Sequence, residues 1–116
     1  MKVTRLAMPF ALLATPLWAA ELATGAQIAD TITGNTVQGS MDSSGAYTEF
    51  YQSDGTIRAE SYTGAWSIEG DTMCFDYGEG PAECWGLKID GETVTWIKDG
   101  EDLGTGTVLP GNPNGY

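Results

Sequence analysis

From Asn35 onward the chain is cut at short intervals by residues that turn a backbone: Asp42-Ser43-Ser44-Gly45, Asp54-Gly55, Gly70-Asp71, Gly78-Glu79-Gly80-Pro81, Asp90-Gly91 and Asp99-Gly100. These punctuations recur every eight to twelve residues, and the runs between them are rich in Thr, Tyr, Trp, Val and Ile. Short runs of β-branched and aromatic residues bounded by turn formers read as strands. Asp-Gly pairs suit tight hairpin turns, whose central residues need positive φ. Eight strands are predicted, near 35–39, 46–52, 57–62, 65–69, 72–77, 82–89, 92–98 and 103–109, followed by a loose tail over 110–116. One short helix is predicted ahead of them, over 24–33. Thr24 and Gln27 have capping-box spacing, Ile28 and Ile32 share a face, and Gly34 can end the helix in the left-handed conformation.

The turns also predict registers. A two-residue loop at Gly70-Asp71 pairs Ile68 with Met73 and Trp66 with Phe75. A Cys74–Cys84 disulfide across neighbouring strands sets Met73 against Trp85. An Asp90-Gly91 loop pairs Leu87 with Val94 and Trp85 with Trp96, and an Asp99-Gly100 loop pairs Trp96 with Leu103. All four place Trp66, Ile68, Met73, Phe75, Trp85, Leu87, Val94, Trp96 and Leu103 on one side of a sheet. Ser67, Asp76, Lys88, Thr93 and Thr95 fall on the other. This is the apolar-in, polar-out alternation of an antiparallel sheet. The Asp54-Gly55 turn, treated alike, sets Phe50 against Ala59 and Tyr51 against Arg58, with Glu49 facing Glu60 on the outer side.

The fold class that follows is mainly β: an eight-stranded antiparallel meander, as a small barrel or a strongly twisted sheet, with one short N-terminal helix. Closure into a barrel would remove exposed strand edges.

Residues 1–20 read as a signal peptide. Lys2 and Arg5 precede an apolar run from Leu6 to Trp18, too short to span a bilayer, and Ala19 and Ala20 supply small residues for cleavage. Residues 21–109 then form a single β-domain. No cysteine stands directly after the cleavage zone, so no lipid attachment and no stable membrane anchor is expected after cleavage. The expected location is the periplasm or the exterior. In such an oxidising compartment two cysteines ten positions apart, Cys74 and Cys84, read as a disulfide. All 16 acidic residues lie after residue 20, opposed only by Arg58, Lys88 and Lys98. That balance argues against nucleic acid and anionic membrane as partners; it allows a basic envelope protein or cations, and reads first as a surface that keeps a small exported protein soluble.

Trp66, Phe75, Trp85 and Trp96 form an aromatic wall, either core or the lining of a pocket for a small apolar ligand. Gly64-Ala65-Trp66 matches the lipocalin G-x-W signature in letters, but it falls on the fourth strand rather than the first. Asp99, Glu101 and Asp102 are oxygen donors without EF-hand spacing. No metal or cofactor site is expected. The chain has no histidine, and neither a G-x-S-x-G motif nor a phosphate-binding glycine loop. Glu49 and Glu60 are the one carboxylate pair for acid–base work, and an outer-face position would leave them screened by water. No catalytic residue is assigned.

The stretch from Ile28 to Pro113 resembles a loose group of small exported bacterial proteins with no assigned activity. The likeness rests on Gly34-Asn35-Thr36-Val37, Phe50-Tyr51 leading to Asp54-Gly55-Thr56, and Gly64-Ala65-Trp66-Ser67-Ile68. It continues in Met73-Cys74-Phe75, Cys84-Trp85, and Val108-Leu109-Pro110-Gly111-Asn112-Pro113. The resemblance implies export, a small β-fold and a cysteine pair, and carries no active site with it. Small periplasmic lysozyme inhibitors are similar in size and meander character, without a shared motif. The expected function is a non-catalytic envelope interaction protein, an inhibitor or accessory factor. The alternative is a lipocalin-like carrier of a small apolar ligand.

Overall fold

The computed structural model describes residues 21–116, so the expected signal peptide lies outside the described residues. Helix α1 (Gly25–Ile32) precedes eight strands: β1 (Thr36–Met41), β2 (Gly45–Tyr51), β3 (Thr56–Arg58), β4 (Thr63–Glu69), β5 (Thr72–Asp76), β6 (Glu83–Asp90), β7 (Thr93–Lys98) and β8 (Glu101–Leu109). Each strand pairs antiparallel with the next, and β8 returns to β1, so the meander closes into a barrel.

Helix α1 starts as its sequence requires. The Thr24 hydroxyl accepts from the Gln27 amide at 3.2 Å, and the Gln27 side chain accepts from the Thr24 amide at 2.8 Å. Two turns of helix are marginal alone, and tertiary contacts hold this one. Ile28 and Ile32 are fully buried, and the Gly25 amide donates to Asp71 in the β4–β5 turn. The helix therefore plugs the barrel end where the β2–β3, β4–β5 and β6–β7 turns lie. The core at that end is aliphatic, with Val37, Ile57, Met73, Leu87 and Val94 fully buried against the two isoleucines.

The tail is tied down rather than loose. The Gly111 amide donates to Asn35 Oδ1, the Thr36 hydroxyl donates to the Gly111 carbonyl, and Asn112 and Tyr116 exchange two hydrogen bonds.

Two expected registers hold: Trp66 opposes Phe75 with Ile68 opposite Met73, and Met73 opposes Trp85 with Cys74 opposite Cys84. Three others differ. Between β6 and β7 the loop is Gly91-Glu92, so Leu87 meets Trp96 and Ile89 meets Val94. That slip is two residues, one full pleat period, and leaves every side chain on its expected face. Between β7 and β8 the Asp99-Gly100 loop forms, both residues having positive φ, but a bulge between Trp96 and Ile97 sets Gly104 opposite Trp96. Leu103 is thereby removed from the inner set.

The consequential slip is at β2–β3. Gln52 pairs with Thr56 around a three-residue loop, Ser53 to Gly55, with Gly55 at φ 94°. Asp54 accepts the Thr56 amide at 3.0 Å and stabilises this longer turn. Phe50 then opposes Arg58 and Tyr51 opposes Ile57, one residue from the expected register. A one-residue slip reverses the faces of a strand, so Tyr47, Glu49 and Tyr51 point into the barrel.

Two measurements test this packing. Leu87 lies in the closed end, so Leu87→Ala should cost about 2–5 kcal/mol in urea denaturation. Trp85 is half-buried at the open end, and Trp85→Ala should cost less than Leu87→Ala; the reverse order would contradict the packing. Reducing the Cys74–Cys84 disulfide, which joins β5 to β6, should remove about 2–3 kcal/mol on the chain-entropy model. An unchanged melting temperature after reduction would show that the bond does not constrain the chain.

Candidate functional site

The barrel end opposite the helix is not filled. A cavity of about 650 Å³ opens there between the β1–β2, β3–β4 and β5–β6 connections. Phe75, Trp85, Trp96 and Tyr47 form its walls, with Glu49 and Tyr51 deeper in. Tyr62, Tyr77, Glu79 and Glu83 stand toward the mouth.

The aromatic wall expected from sequence therefore divides. Phe75, Trp85 and Trp96 face the cavity. Trp66 lies below it, donating its indole N–H to the Gln52 carbonyl at 2.9 Å in the β2–β3 turn. Phe75 is the hub of the aromatic contacts. Its ring meets Trp96 edge-on at 5.5 Å and Tyr51 edge-on at 6.2 Å, and stacks on Tyr77 at 6.3 Å. These are the offset and edge-to-face arrangements favoured by ring quadrupoles.

Glu49 is 5% exposed and is the centre of the polar part. Its carboxylate accepts from three phenols. Tyr51 Oη donates to Oε1 at 2.7 Å, Tyr62 Oη to Oε2 at 2.5 Å, and Tyr77 Oη lies 3.1 Å and 3.0 Å from the two oxygens. An ionised carboxylate only accepts, and three hydroxyl donors aimed at its two oxygens match that inventory. Among the described residues the ion pairs are Lys88–Asp102 and Lys98–Glu83, so no basic side chain pairs with Glu49.

Glycines make room for this cluster. A side-chain carbon at Gly106 would lie 2.4 Å from Tyr47 Oη and 2.5 Å from Val37, and one at Gly64 would lie 2.9 Å from the Tyr77 ring. The space at Gly106 lets Tyr47 donate to the Thr105 carbonyl at 3.0 Å and accept the Trp96 indole N–H at 2.7 Å.

The sequence pattern places Glu49 on the outer face opposite Glu60, and the structure corrects both statements. The three-residue turn brings Glu49 inside, while Glu60 is exposed in the β3–β4 connection, which sends Tyr62 to Glu49 instead. The signal for the site was present as Tyr47-x-Glu49-x-Tyr51, a strand-spaced alternation that places all three side chains on one face. Tyr62 and Tyr77 carry no such signal, because both sit in connections. Of the acidic residues near Gly100, Asp102 reaches Lys88 at 3.6 Å. No group of three or more His, Cys, Asp or Glu side chains converges among the described residues.

The tyrosines hold their protons. Burial, with the nearby Glu49 charge, pushes Tyr47 up to about 12 against the opposing indole hydrogen bond from Trp96. Burial first, and then the charge and hydrogen bonding of Glu49, raises Tyr51, Tyr62 and Tyr77 well above the ordinary phenol value. All four therefore remain neutral at physiological pH.

Their titration gives a signed prediction. Folded tyrosines bind protons more tightly than unfolded ones, which titrate near 10. Their contribution to stability is complete below about pH 10, and it is lost as pH rises past that value and through the higher folded values. Urea midpoints should thus be insensitive to these groups below about pH 10 and fall above it, with phenolate absorbance appearing together with unfolding. Early, non-cooperative phenolate formation by all the tyrosines in the folded state would contradict the cluster.

Compared with known proteins, the chain matches no family model, no curated protein and no solved structure.

Proposed function

We propose that this protein is a non-catalytic binding barrel that carries a small ligand in the cavity at its open end. The observation that supports this reading above the others is the cavity itself. An eight-stranded barrel has just enough interior for side chains to fill it or for one small ligand. Here the closed half is filled with aliphatic side chains, and the other half keeps about 650 Å³ free, within the usual range for small-molecule sites. Aromatic walls around a few placed polar groups are the usual composition of such sites.

A catalytic reading has less support. The interior phenols hold their protons above the neutral range, so they are poor proton-transfer groups there. Export is part of the proposal, with the periplasm or the exterior as the location. The disulfide is consistent with an oxidising compartment, and no described helix is long and apolar enough to cross a membrane. The outer face carries Gln38, Thr48, Ser67, Lys88 and Thr95, where a lipid-facing barrel would need an apolar band. A basic envelope protein as partner remains a separate proposal, supported by the acid excess alone.

Native mass spectrometry of protein isolated from its own compartment tests the binding reading. The expected result is a reproducible extra mass that is lost on denaturation. The bare chain mass, together with unmoved Trp85 and Trp96 indole signals on addition of small aromatic compounds, would overturn it.

A further inference from the structure

Within the binding reading, on which this step rests, we infer that the ligand is a small organic cation. Its ammonium group would sit toward Glu49, and its apolar part would lie against Phe75, Trp85 and Trp96.

The first reason is an unbalanced charge. Glu49 is buried, and its hydrogen-bonding capacity is met by Tyr51, Tyr62 and Tyr77. Hydroxyl dipoles satisfy lone pairs but carry no net charge. No described basic side chain pairs with this carboxylate: Lys88 and Lys98 pair with Asp102 and Glu83, and Arg58 donates to Gln52. A buried charge without a counter-ion is costly, and a ligand cation entering the cavity would supply one.

The second reason is the wall. Aromatic faces carry negative potential and attract cations, most strongly at indole. The molecule already uses this arrangement at the rim. The Lys98 ammonium lies 5.0 Å from the centre of the Trp85 ring and 3.7 Å from Glu83. A carboxylate and an indole thus hold one cation at the mouth, and the same pair of chemistries recurs deeper in the cavity.

The third reason is exclusion. The phenolic protons of Tyr51, Tyr62 and Tyr77 are spent on Glu49, so an anionic ligand finds no free phenol donor beside it. Glu79 at the mouth would repel it and would concentrate cations, whereas Glu83 is already paired with Lys98. A bare metal ion fits poorly. Hard divalent cations need several oxygen ligands, and here one carboxylate stands among rings in a space far larger than an ion.

Benzylammonium, benzyl alcohol and benzoate share one ring and differ in charge, so they separate this inference from the reading beneath it. Binding is read from tryptophan fluorescence and indole NMR shifts at low salt. Benzylammonium should bind about tenfold tighter than benzyl alcohol, and benzoate more weakly than either. Glu49→Gln, which keeps the side-chain shape, should remove most of the advantage of benzylammonium over the alcohol, read as the ratio of the two affinities in the same variant. Equal binding of ammonium and alcohol to the wild-type protein would overturn the cation inference and leave the binding barrel standing. Failure of all three to bind, with a bare native mass, would overturn the binding reading itself. The wild-type comparison carries the test even where the Glu49 variant does not fold.

Discussion

One carboxylate joined to three phenols ties together parts of the barrel that the backbone ladder leaves independent. Glu49 and Tyr51 come from β2, Tyr62 from the β3–β4 connection, and Tyr77 from the residue just after β5. β3 is only three residues long and pairs with β2 through two residue pairs, the weakest seam in the ladder. The hydrogen bonds from Tyr62 and Tyr77 to Glu49 cross that seam on the inside. The cluster therefore closes the barrel where backbone pairing is thinnest, and it also sets the floor of the cavity. Because the interior is a low-dielectric setting, each of these hydrogen bonds is stronger than its counterpart in water, and each would be correspondingly costly to leave unmade.

How much of this was legible in the sequence depended on whether a turn had one reading or two. Gly70-Asp71 and the cysteine pair each constrain one register, and the Trp66–Phe75 and Met73–Trp85 pairings follow from them. Asp54-Gly55 is compatible with a two-residue loop and also with a three-residue loop whose last glycine is left-handed. What decides is the hydrogen bond from the Thr56 amide to Asp54 together with the pairing of Gln52 with Thr56, and neither is visible as a pattern of letters. That single ambiguity hid the candidate site, since it reversed the face of Glu49. The slip at Gly91-Glu92 did no such damage, because two residues preserve the face. The bulge beside Trp96 is likewise silent in sequence, though the glycines at 104 and 106, opposite Trp96 and Val94, mark where the wall thins.

The barrel has a filled half and an open half along its axis. At the closed end the helix, the aliphatic core and the tied C-terminal segment all converge. At the open end the side chains are aromatic, the glycines withhold volume, and the connections are longer and exposed. Local opening costs least where buried apolar contacts are few, so on the proposed binding reading the motion that admits a ligand would belong to the mouth. The plug can stay shut while it occurs.

The disulfide fits this division. Cys74 and Cys84 face each other on the outer side of β5 and β6, and their chain neighbours Phe75 and Trp85 point inward to form a wall of the cavity. The same two strands carry the connection that bears Tyr77 and Glu79. That connection is long, rich in glycine and without backbone pairing of its own, so its ends need an independent restraint. A covalent bond behind the wall supplies one without occupying any of the interior. The aromatic faces then keep their spacing although no side chain fills the space between them, which is the condition for an open cavity in so small a barrel.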